Sequence, residues 1–198
     1  MKRIGYFGGT FDPIHFGHLN LLVQIMEKCN LDEILISPAY ISPHKLDTPP
    51  FASPEDRMKM AALATLDIPN VKLINDEINN HKISYTIDVL NLLVERLKDS
   101  RIYLIMAEDV FDKFHLWKDY EKILDQVNLL IGCSLDYKKD LNGIYPEKFL
   151  ETLKKSFVRI DNLEISSTQI RNRLKDKLYC GHLVSAKVLD YIYQNQLY

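Results

Sequence analysis

GGTFDPIHFGH, at residues 8–18, follows a short apolar run at residues 4–7 and precedes an apolar pattern with helical spacing that begins at Leu19. The two glycines that open this stretch interrupt the apolar run, as glycines do where a strand passes into a tight loop. A strand, a tight loop and a helix in this order predict an opening β-loop-α unit, the building block of an α/β protein.

The same alternation continues along the rest of the chain. Further strands are predicted from apolar runs at residues 33–37, 71–74, 102–106 and 127–131. Helices are predicted at residues 53–66, 86–97 and 120–125, and from Ser167 onward. Because the strands are almost continuously apolar, both faces of the sheet are expected to be covered. The predicted fold class is α/β, a doubly wound, Rossmann-like parallel sheet with helices on both faces and a helical C-terminal segment.

In such sheets, ligands bind beyond the carboxyl ends of the strands, where the strand order reverses. The loops to search are therefore those that follow Phe7, Ser37, Met106 and Ile160. Residues with unusual chemistry gather in these loops, which predicts a ligand site built from several of them.

Composition limits the kind of ligand. The chain has 198 residues, of which 46% are hydrophobic and 26% charged, as in an ordinary globular protein. This length favours a single domain over residues 1–198. A formal net charge of −2 gives no overall attraction for nucleic acid. We therefore expect a small ligand, held by a few well-aimed donors, and no nucleic-acid partner.

Cysteines and apolar runs bear on the compartment. Cys29, Cys133 and Cys180 are odd in number and far apart, so they predict neither a disulfide framework nor a C-x-x-C metal or redox pair. No apolar run approaches the roughly 20 residues that a membrane-spanning helix needs, and no signal peptide is indicated. The expectation is a cytoplasmic protein without a membrane partner.

His15 and His18 lie three apart at the start of the first predicted helix, so both project from one face of its first turn. A helix start favours anions because its N–H groups are unpaired, and the two imidazoles add donors. Gly8 and Gly9 leave room for a phosphate to approach the backbone. H-x-x-H also suggests a metal site, but no third ligand has matching local spacing, and a distant one stays open.

These residues resemble a known signature. GGTFDPIHFGH, with its H-x-G-H, is similar to the nucleotidyltransferase signature, within the bacterial nicotinate-nucleotide adenylyltransferase family. The resemblance continues in order through PAYISPHK, SYTIDVL, DVFDKFHLW, ISSTQIR and YIYQNQLY, at residues 38–45, 84–90, 109–117, 165–171 and 191–198. Agreement of all these segments, in order, covers almost the whole chain and is not expected by chance.

The resemblance implies an activity. Enzymes of this family join ATP and nicotinate mononucleotide to give nicotinate adenine dinucleotide and pyrophosphate, a step in NAD biosynthesis, within a single nucleotidyltransferase domain. Mg²⁺ is expected to enter with the ATP, held mainly by phosphates and water, so no residue is assigned to a metal. The oligomeric state stays open, a homo-oligomer included.

The resemblance also implies which residues form the site, with His15 and His18 as the catalytic pair. The residues expected to contact ATP are Gly8, Gly9, Thr10, Phe11, His15, His18, Asp109, Ile165, Ser166, Ser167, Thr168 and Arg171. The residues expected to contact the mononucleotide are Gly9, Thr10, Lys45, Tyr85, Thr86 and Trp117.

Several of these positions also have an ordinary structural interpretation. The hydroxyls at residues 166–168 could simply cap a helix. Asp109 could cap the helix after the fourth strand, and Lys45 could be a solvated loop lysine. Trp117 could pack in the core rather than stack on a pyridine ring.

Two positions depart from the family pattern. Ala107 and Glu108 stand where the family has Gly and a small residue, so Glu108 is expected to weaken ATP binding unless it points away or meets Mg²⁺. After the fifth strand, residues 133–135 read Cys-Ser-Leu where many relatives have an arginine. Lys138 or Lys139 is the candidate substitute for that cation.

Two alternative functions stay open. The first is another transferase of the superfamily, with nicotinamide mononucleotide or phosphopantetheine as acceptor or with cytidylyl transfer; the segments around Tyr85 and Trp117 speak against most of these. The second is a nucleotide-binding relative without turnover, which the departures at residues 107–108 and 133–135 suggest.

Overall fold

The structure, a computed structural model, describes all residues from 1 to 198. Its sheet has six strands in the order β3-β2-β1-β4-β5-β6, so the order reverses between β1 and β4. The strands are β1 Lys2–Gly9, β2 Glu33–Pro38, β3 Val71–Leu73, β4 Ser100–Ala107, β5 Asn128–Cys133 and β6 Phe157–Arg159. Parallel pairing joins β1 to β4, β4 to β5 and β5 to β6. The predicted doubly wound parallel sheet is confirmed.

Helices connect the strands and form the C-terminal segment. They are α1 Phe16–Lys28, α2 Pro54–Thr65, α3 Asp76–Asn80, α4 Thr86–Arg96, α5 Glu108–Phe111, α6 Tyr120–Gln126, α7 Glu147–Lys154, α8 Ser167–Lys175 and α9 Ala186–Gln194. Short 3-10 turns lie at Pro43–Lys45 and Phe114–Leu116. The helical C-terminal segment expected from Ser167 is thus present as α8 and α9.

The sequence did not predict β6, α3, α5 or α7. In β6, which reads Phe-Val-Arg, the charged Arg159 interrupts the apolar run. α5 has only four residues, which is too short for the helix period to show. α7 has eight residues and a buried face formed by Phe149 and Leu153, but it follows a polar stretch that offered no periodic pattern.

The central strands are buried because nearly all their side chains are apolar. Ile4 of β1 and Ile34 of β2 are both buried, and each such side chain contributes about 1.5–3 kcal/mol to folding. A Cβ on Gly5 would come within 2.7 Å of Cδ1 of Ile105. The core therefore closes over β1 only because residue 5 has no side chain.

Three helices begin at a serine that caps the first turn, which contributes about 1 kcal/mol each. The side chains of Ser53, Ser166 and Ser185 accept hydrogen bonds from the N–H groups of Asp56, Gln169 and Val188. These caps fix where α2, α8 and α9 begin.

The chain forms two compact units. The first comprises Met1–Phe7, Leu21–Ile34 and Tyr85–Asn162, and the second Gly8–Asn20, Leu35–Ser84 and Leu163–Tyr198. Within the first unit, the ring of Phe111 stacks on that of Tyr145, with centroids 5.6 Å apart. Within the second unit, α2 packs on α9. The single domain over residues 1–198 stays a prediction.

Two further findings concern the cysteines and the membrane. Cys29, Cys133 and Cys180 are all free thiols, and the last two are buried. None of the helices combines the length and the apolar character that crossing a bilayer requires.

Candidate active site

His15 and His18 lie side by side at the start of α1. Their ring centroids are 3.7 Å apart, and the ring planes are inclined by 27°. The backbone N–H of His15 donates to Nδ1 of His18 at 3.2 Å. The two rings therefore share one face of the first helical turn.

Gly17 separates the two histidines and allows this arrangement. A Cβ at residue 17 would lie 3.1 Å from the His15 ring and 3.3 Å from the carbonyl oxygen of Leu163. Both distances are tighter than most real contacts of a Cβ atom. Steric crowding within the protein therefore explains why the third residue of the H-x-G-H pattern, Gly17, has no side chain.

Both histidines are neutral at pH 7. Burial lowers the pKa of His15 to about 4, and burial followed by the charge of His15 lowers the pKa of His18 well below its ordinary value. Because Nδ1 of His18 accepts a hydrogen bond, its ring proton is on Nε2. Nδ1 of His15 is buried without a hydrogen-bond partner. A neutral His18 offers one N–H donor and no positive charge.

Phe11 accounts for the second glycine of the loop. Its φ is 51°, which is uncommon for a residue with a side chain. A Cβ on Gly9 would come within 2.8 Å of the Phe11 ring. At Gly9 the missing side chain thus makes room for Phe11, whereas phosphate contact at Gly8 and Gly9 stays a prediction.

A pocket of about 210 Å³ lies beside this loop, within the second unit. Its walls include residues predicted from the sequence, namely Thr10, Phe11, His18, Lys45, Ser167, Thr168 and Arg171. The lining also contains one carboxylate, that of Asp12. The cations Lys45 and Arg171 and the imidazole donor of His18 outnumber it, so the pocket suits an anionic ligand.

Other predicted residues lie outside the walls of this pocket. Gly8, Gly9, His15, Ile165 and Ser166 belong to the same unit but do not line it. The remaining predicted residues, Tyr85, Thr86, Asp109 and Trp117, belong to the first unit.

The hydroxyls at the start of α8 form hydrogen bonds with other groups of the protein. Ser166 caps the helix, and the hydroxyl of Ser167 donates to the carbonyl oxygen of Pro13 at 2.9 Å. Oγ1 of Thr168 accepts from Nη2 of Arg171 at 3.1 Å. Capping therefore accounts for Ser166, while Thr168 and Arg171 face the pocket as a joined pair.

Arg57 is a residue of the site that the sequence did not reveal. It is fully buried and donates to the backbone carbonyl oxygens of Thr10, Ala39, Tyr40 and Ala52. Burial lowers its pKa, and the charge of Asp12 opposes that shift. Arg57 thereby ties the loop after β1 to the loop after β2. Its only sequence signal is its place in the first turns of a capped helix.

Glu108 departs from the family pattern, and its carboxylate is hydrogen-bonded within the protein. Its carboxylate accepts hydrogen bonds from the N–H of Ser134 at 2.9 Å, the hydroxyl of Ser134 at 3.2 Å and Nδ2 of Asn162 at 3.1 Å. The charge is therefore satisfied within the first unit. The second departure, at Ser134, supplies two of the donors that Glu108 binds.

The structure bears on Asp109 and on the cation expected after β5. Asp109 is exposed inside α5, whose N-cap is Ala107, so Asp109 does not cap the helix. Lys139, one of the two candidate substitutes for the missing arginine, pairs with Asp112 at 2.9 Å. The cation nearest to Ser134 is Arg159 of β6, which donates to the carbonyl oxygens of Ser134 and Tyr137.

Trp117 and Tyr85 are each partly buried in the first unit. The Trp117 ring meets the buried Phe114 ring edge-on, with centroids 5.4 Å apart. Nζ of Lys118 lies 4.3 Å from the centroid of the Tyr85 ring. Trp117 therefore packs on the core with one edge and keeps part of its surface available.

A doubly wound parallel sheet, with paired histidines opening its first helix beside a pocket that carries cations, defines a nucleotide-binding α/β protein. The sequence profile of the cytidylyltransferase-like family matches residues 6–173. The chain belongs to this family and, within it, to the nicotinate-nucleotide adenylyltransferases.

Relatives match over the whole chain. It is 33% identical over 196 residues to a protein of Borrelia turicatae named "probable nicotinate-nucleotide adenylyltransferase", which covers 99% of this chain and 97% of the relative. A protein of the same name from Dictyoglomus turgidum is 32% identical, covering 99% and 95%. Among solved structures, the nicotinic acid mononucleotide adenylyltransferase of Plasmodium falciparum, complexed with NaAD, superimposes with a TM-score of 0.78 at 21% identity over 100% of this chain and 97% of that one. This last likeness concerns the fold.

Proposed function

We propose that the protein transfers the adenylyl group of ATP to nicotinate mononucleotide, which gives nicotinate adenine dinucleotide and pyrophosphate. This is a step in NAD biosynthesis. The observation that carries the proposal is the pocket beside the H-x-G-H turn, in a chain whose full-length relatives bear the name of this activity.

The ATP phosphates bind in this pocket. Arg171 supplies positive charge there, and His18 supplies an N–H donor. The first turn of α8, which also lines the pocket through Ser167, adds the positive end of a helix dipole.

The reaction needs no nucleophile from the protein. An oxygen of the mononucleotide's phosphate attacks the α-phosphorus of ATP and forms a P–O bond, while the bond from the α-phosphorus to the bridging oxygen breaks and pyrophosphate leaves. Orientation of two bound substrates contributes about 7–11 kcal/mol. A donor aimed at the developing charge contributes about 3–4 kcal/mol more, and we assign that part to His18.

Neutral histidines suit this task. A neutral N–H donor on His18 can stabilise the charge that develops on the phosphate in the transition state. It adds no positive charge that would bind the substrate equally well in the ground state. The ring of His15 is stacked on that of His18, with centroids 3.7 Å apart, so we assign His15 the role of holding the His18 ring in place.

We propose that Mg²⁺ enters with ATP. No group of three or more His, Cys, Asp or Glu side chains lies close enough together to hold a metal ion. Mg²⁺ fits such a protein, because it is commonly bound by substrate phosphates, water and one or two carboxylates. For Asp109, whose carboxylate is exposed, we propose the role that the resemblance implies, a contact with the ATP ribose or with the metal that ATP carries. When bound, the metal neutralises charge on the phosphates.

On the acceptor side, Lys45 is proposed to contact the phosphate of the mononucleotide. Tyr85, Thr86 and Trp117 are proposed to recognise its pyridine ring, with Trp117 stacking on the ring face. The support for these roles is the family resemblance together with the partly open surfaces of Tyr85 and Trp117.

The test is an acceptor panel with purified protein, MgATP and a pyrophosphate assay. Nicotinate mononucleotide, nicotinamide mononucleotide, phosphopantetheine and glycerol phosphate are supplied in turn, and a chelator serves as the metal-removal control. We expect the highest turnover with nicotinate mononucleotide and none with the chelator. Turnover with a non-pyridine acceptor alone would overturn the substrate assignment.

A further inference from the structure

Asp12 is buried in the loop after β1, although the proposed reaction makes no use of its charge. Its Oδ2 accepts from the N–H of Phe51 at 2.9 Å, and its Oδ1 accepts from the N–H of Ala52 at 3.1 Å. This carboxylate therefore fixes the backbone of a loop that forms one wall of the pocket through Phe51.

Arg171 is attached to the same residue. Its Nη1 donates to the backbone carbonyl oxygen of Asp12 at 2.7 Å, and it lies 3.9 Å from Oδ2 of the Asp12 side chain. The guanidinium also lies over the Phe51 ring, 4.9 Å from its centroid. The orientation of the Asp12 carboxylate therefore influences both the pocket wall and the pocket's arginine.

A third donor reaches Asp12 from beyond α9. The hydroxyl of Tyr198 donates to Oδ1 of Asp12 at 2.7 Å, and a hydrogen bond to a carboxylate is stronger than one between neutral groups. Burial, and then the charge of Asp12, raise the pKa of the Tyr198 phenol. The hydroxyl therefore remains a donor throughout the neutral range.

Tyr198 is carried by a fixed element. The N–H of Leu197 bonds back to the carbonyl oxygen of Ile192 at 3.0 Å, which holds the segment after α9 against the helix. α9 itself is tied to α2, because the hydroxyl of Tyr191 donates to Oδ1 of Asp56 at 2.8 Å. The contact with Asp12 thus has a defined geometry.

Asp12 itself lines the pocket beside Arg171. We propose that Tyr198 is a positioning residue for nucleotide binding, which holds the Asp12 carboxylate on the 51–52 backbone and keeps it from turning further toward Arg171. Without the phenol, Oδ1 keeps only one donor, and the carboxylate is freer to turn toward Arg171. It then competes with the ligand for the arginine and repels the phosphates. The identification of the ligand as a nucleotide rests on the proposed function.

Tyr198→Phe tests this, because it removes the hydroxyl and keeps the ring. Calorimetry with MgATP, without any acceptor, should show a Kd about tenfold higher than that of the wild type, because the released carboxylate then competes with the phosphates for Arg171. Hydrogen exchange at the amides of Phe51 and Ala52 should become faster. In steady state, the KM for ATP should rise while kcat stays within about twofold.

Tyr193→Phe is the matched control, because Tyr193 lies on α9 and is exposed. We expect it to leave the Kd for MgATP unchanged. An unchanged Kd in Tyr198→Phe, even with a lower melting temperature, would show a merely structural role and overturn the inference. So would an equal rise in both variants, or a wild type that does not bind MgATP.

The outcome for the proposed function is separate. If Tyr198→Phe weakens MgATP binding as expected but the wild type releases no pyrophosphate with any acceptor, the reaction assignment fails and the positioning role stands.

Discussion

The turn at residues 8–18 and the segment at residues 107–117 both carry predicted contacts to ATP, yet they are built differently. In the turn, the rings of His15 and His18 are held in place without any ligand, and the carbonyl oxygen of Asp12 holds the guanidinium of Arg171 from α8. In the other segment, Asp109 is exposed, and the charge that is held in place, that of Glu108, is bound to Ser134 and Asn162.

The difference concerns preorganisation. Donors that are already oriented lose little conformational freedom when the transition state forms, and they contribute most to catalysis. An exposed carboxylate must be ordered by the ligand. We therefore expect the largest effects on turnover in the turn at residues 8–18, and effects on substrate affinity or stability in the segment at residues 107–117.

The sharpest test of the turn is His18→Ala. We expect kcat to fall by about 10²–10³-fold, as for loss of one oriented donor to a developing charge. The fold should be retained, because the His18 ring borders the pocket and its removal enlarges that pocket rather than leaving a closed cavity. Pyrophosphate release and circular dichroism measure the two effects. His182→Ala, at an exposed histidine away from the pocket, serves as the control. Unchanged turnover in His18→Ala would remove His18 from the mechanism.

The buried state of His15 predicts a pH dependence of stability. Its pKa is about 4 in the folded protein and 6.5 as the reference, so the unfolded chain binds the proton more readily between these values. The stabilising contribution is complete above pH 6.5 and is lost as the pH falls toward 4. From pH 7 to pH 5 we expect the free energy of unfolding to decrease by about 2 kcal/mol from this group.

Urea unfolding at pH 7, 6 and 5 measures that slope. His15→Gln has no titrating group at residue 15, so its slope should be shallower than that of the wild type. Equal slopes in the two proteins would contradict a buried neutral His15.

In the second region, Trp117→Ala should raise the KM for nicotinate mononucleotide about tenfold, which corresponds to the loss of one ring stack. The KM for ATP should change by less than about twofold. Trp117→Phe keeps a ring and should fall between the wild type and the alanine variant. An equal rise of both KM values would indicate that Trp117 only packs on Phe114.

Glu108→Ala should have the smallest effect. It leaves the N–H of Ser134 and the amide of Asn162 without their acceptor, so we expect a loss of about 1 kcal/mol in the free energy of unfolding. The KM for ATP should stay within about twofold, because the carboxylate is bound within the protein. Glu95→Ala, at an exposed position of α4, is the control. A clear fall in the KM for ATP would mean that Glu108 repels the nucleotide.

The sequence predicted most of the fold from local patterns. The strands β1 to β5 follow apolar runs, and the helices α1 and α4 follow an apolar helical pattern. α2 was predicted from its capping serine, its proline and its acidic first turn, and α6 was predicted as a short helix. β6 was missed because the charged Arg159 interrupts its apolar run, and α5 because its four residues are too few for a helical period. Such elements are stabilised by their neighbours in the sheet and the core rather than by their own periodicity.

The candidate site also has one part that local sequence patterns predict and another part that they do not. The pairing of His15 with His18 follows from helical spacing alone, since residues three apart share a helix face. Arg57 was missed because its acceptors lie on loops as far away as Thr10, which is 47 residues distant in the chain. The bond between Glu108 and Ser134 was also hidden, so two separate departures from the family pattern were not recognised as one contact.

By itself, the sequence determined the fold class, the family, and the local spacing of the turn at residues 8–18, because these depend on periodic patterns and neighbouring residues. Only the tertiary structure decided which polar groups line the pocket and which are used in hydrogen bonds within the protein. The bond from Tyr198 to Asp12 spans 186 residues, and burial decides the protonation of His15 and His18. Long-range contacts and exclusion of water are products of the folded chain, and no local pattern encodes them.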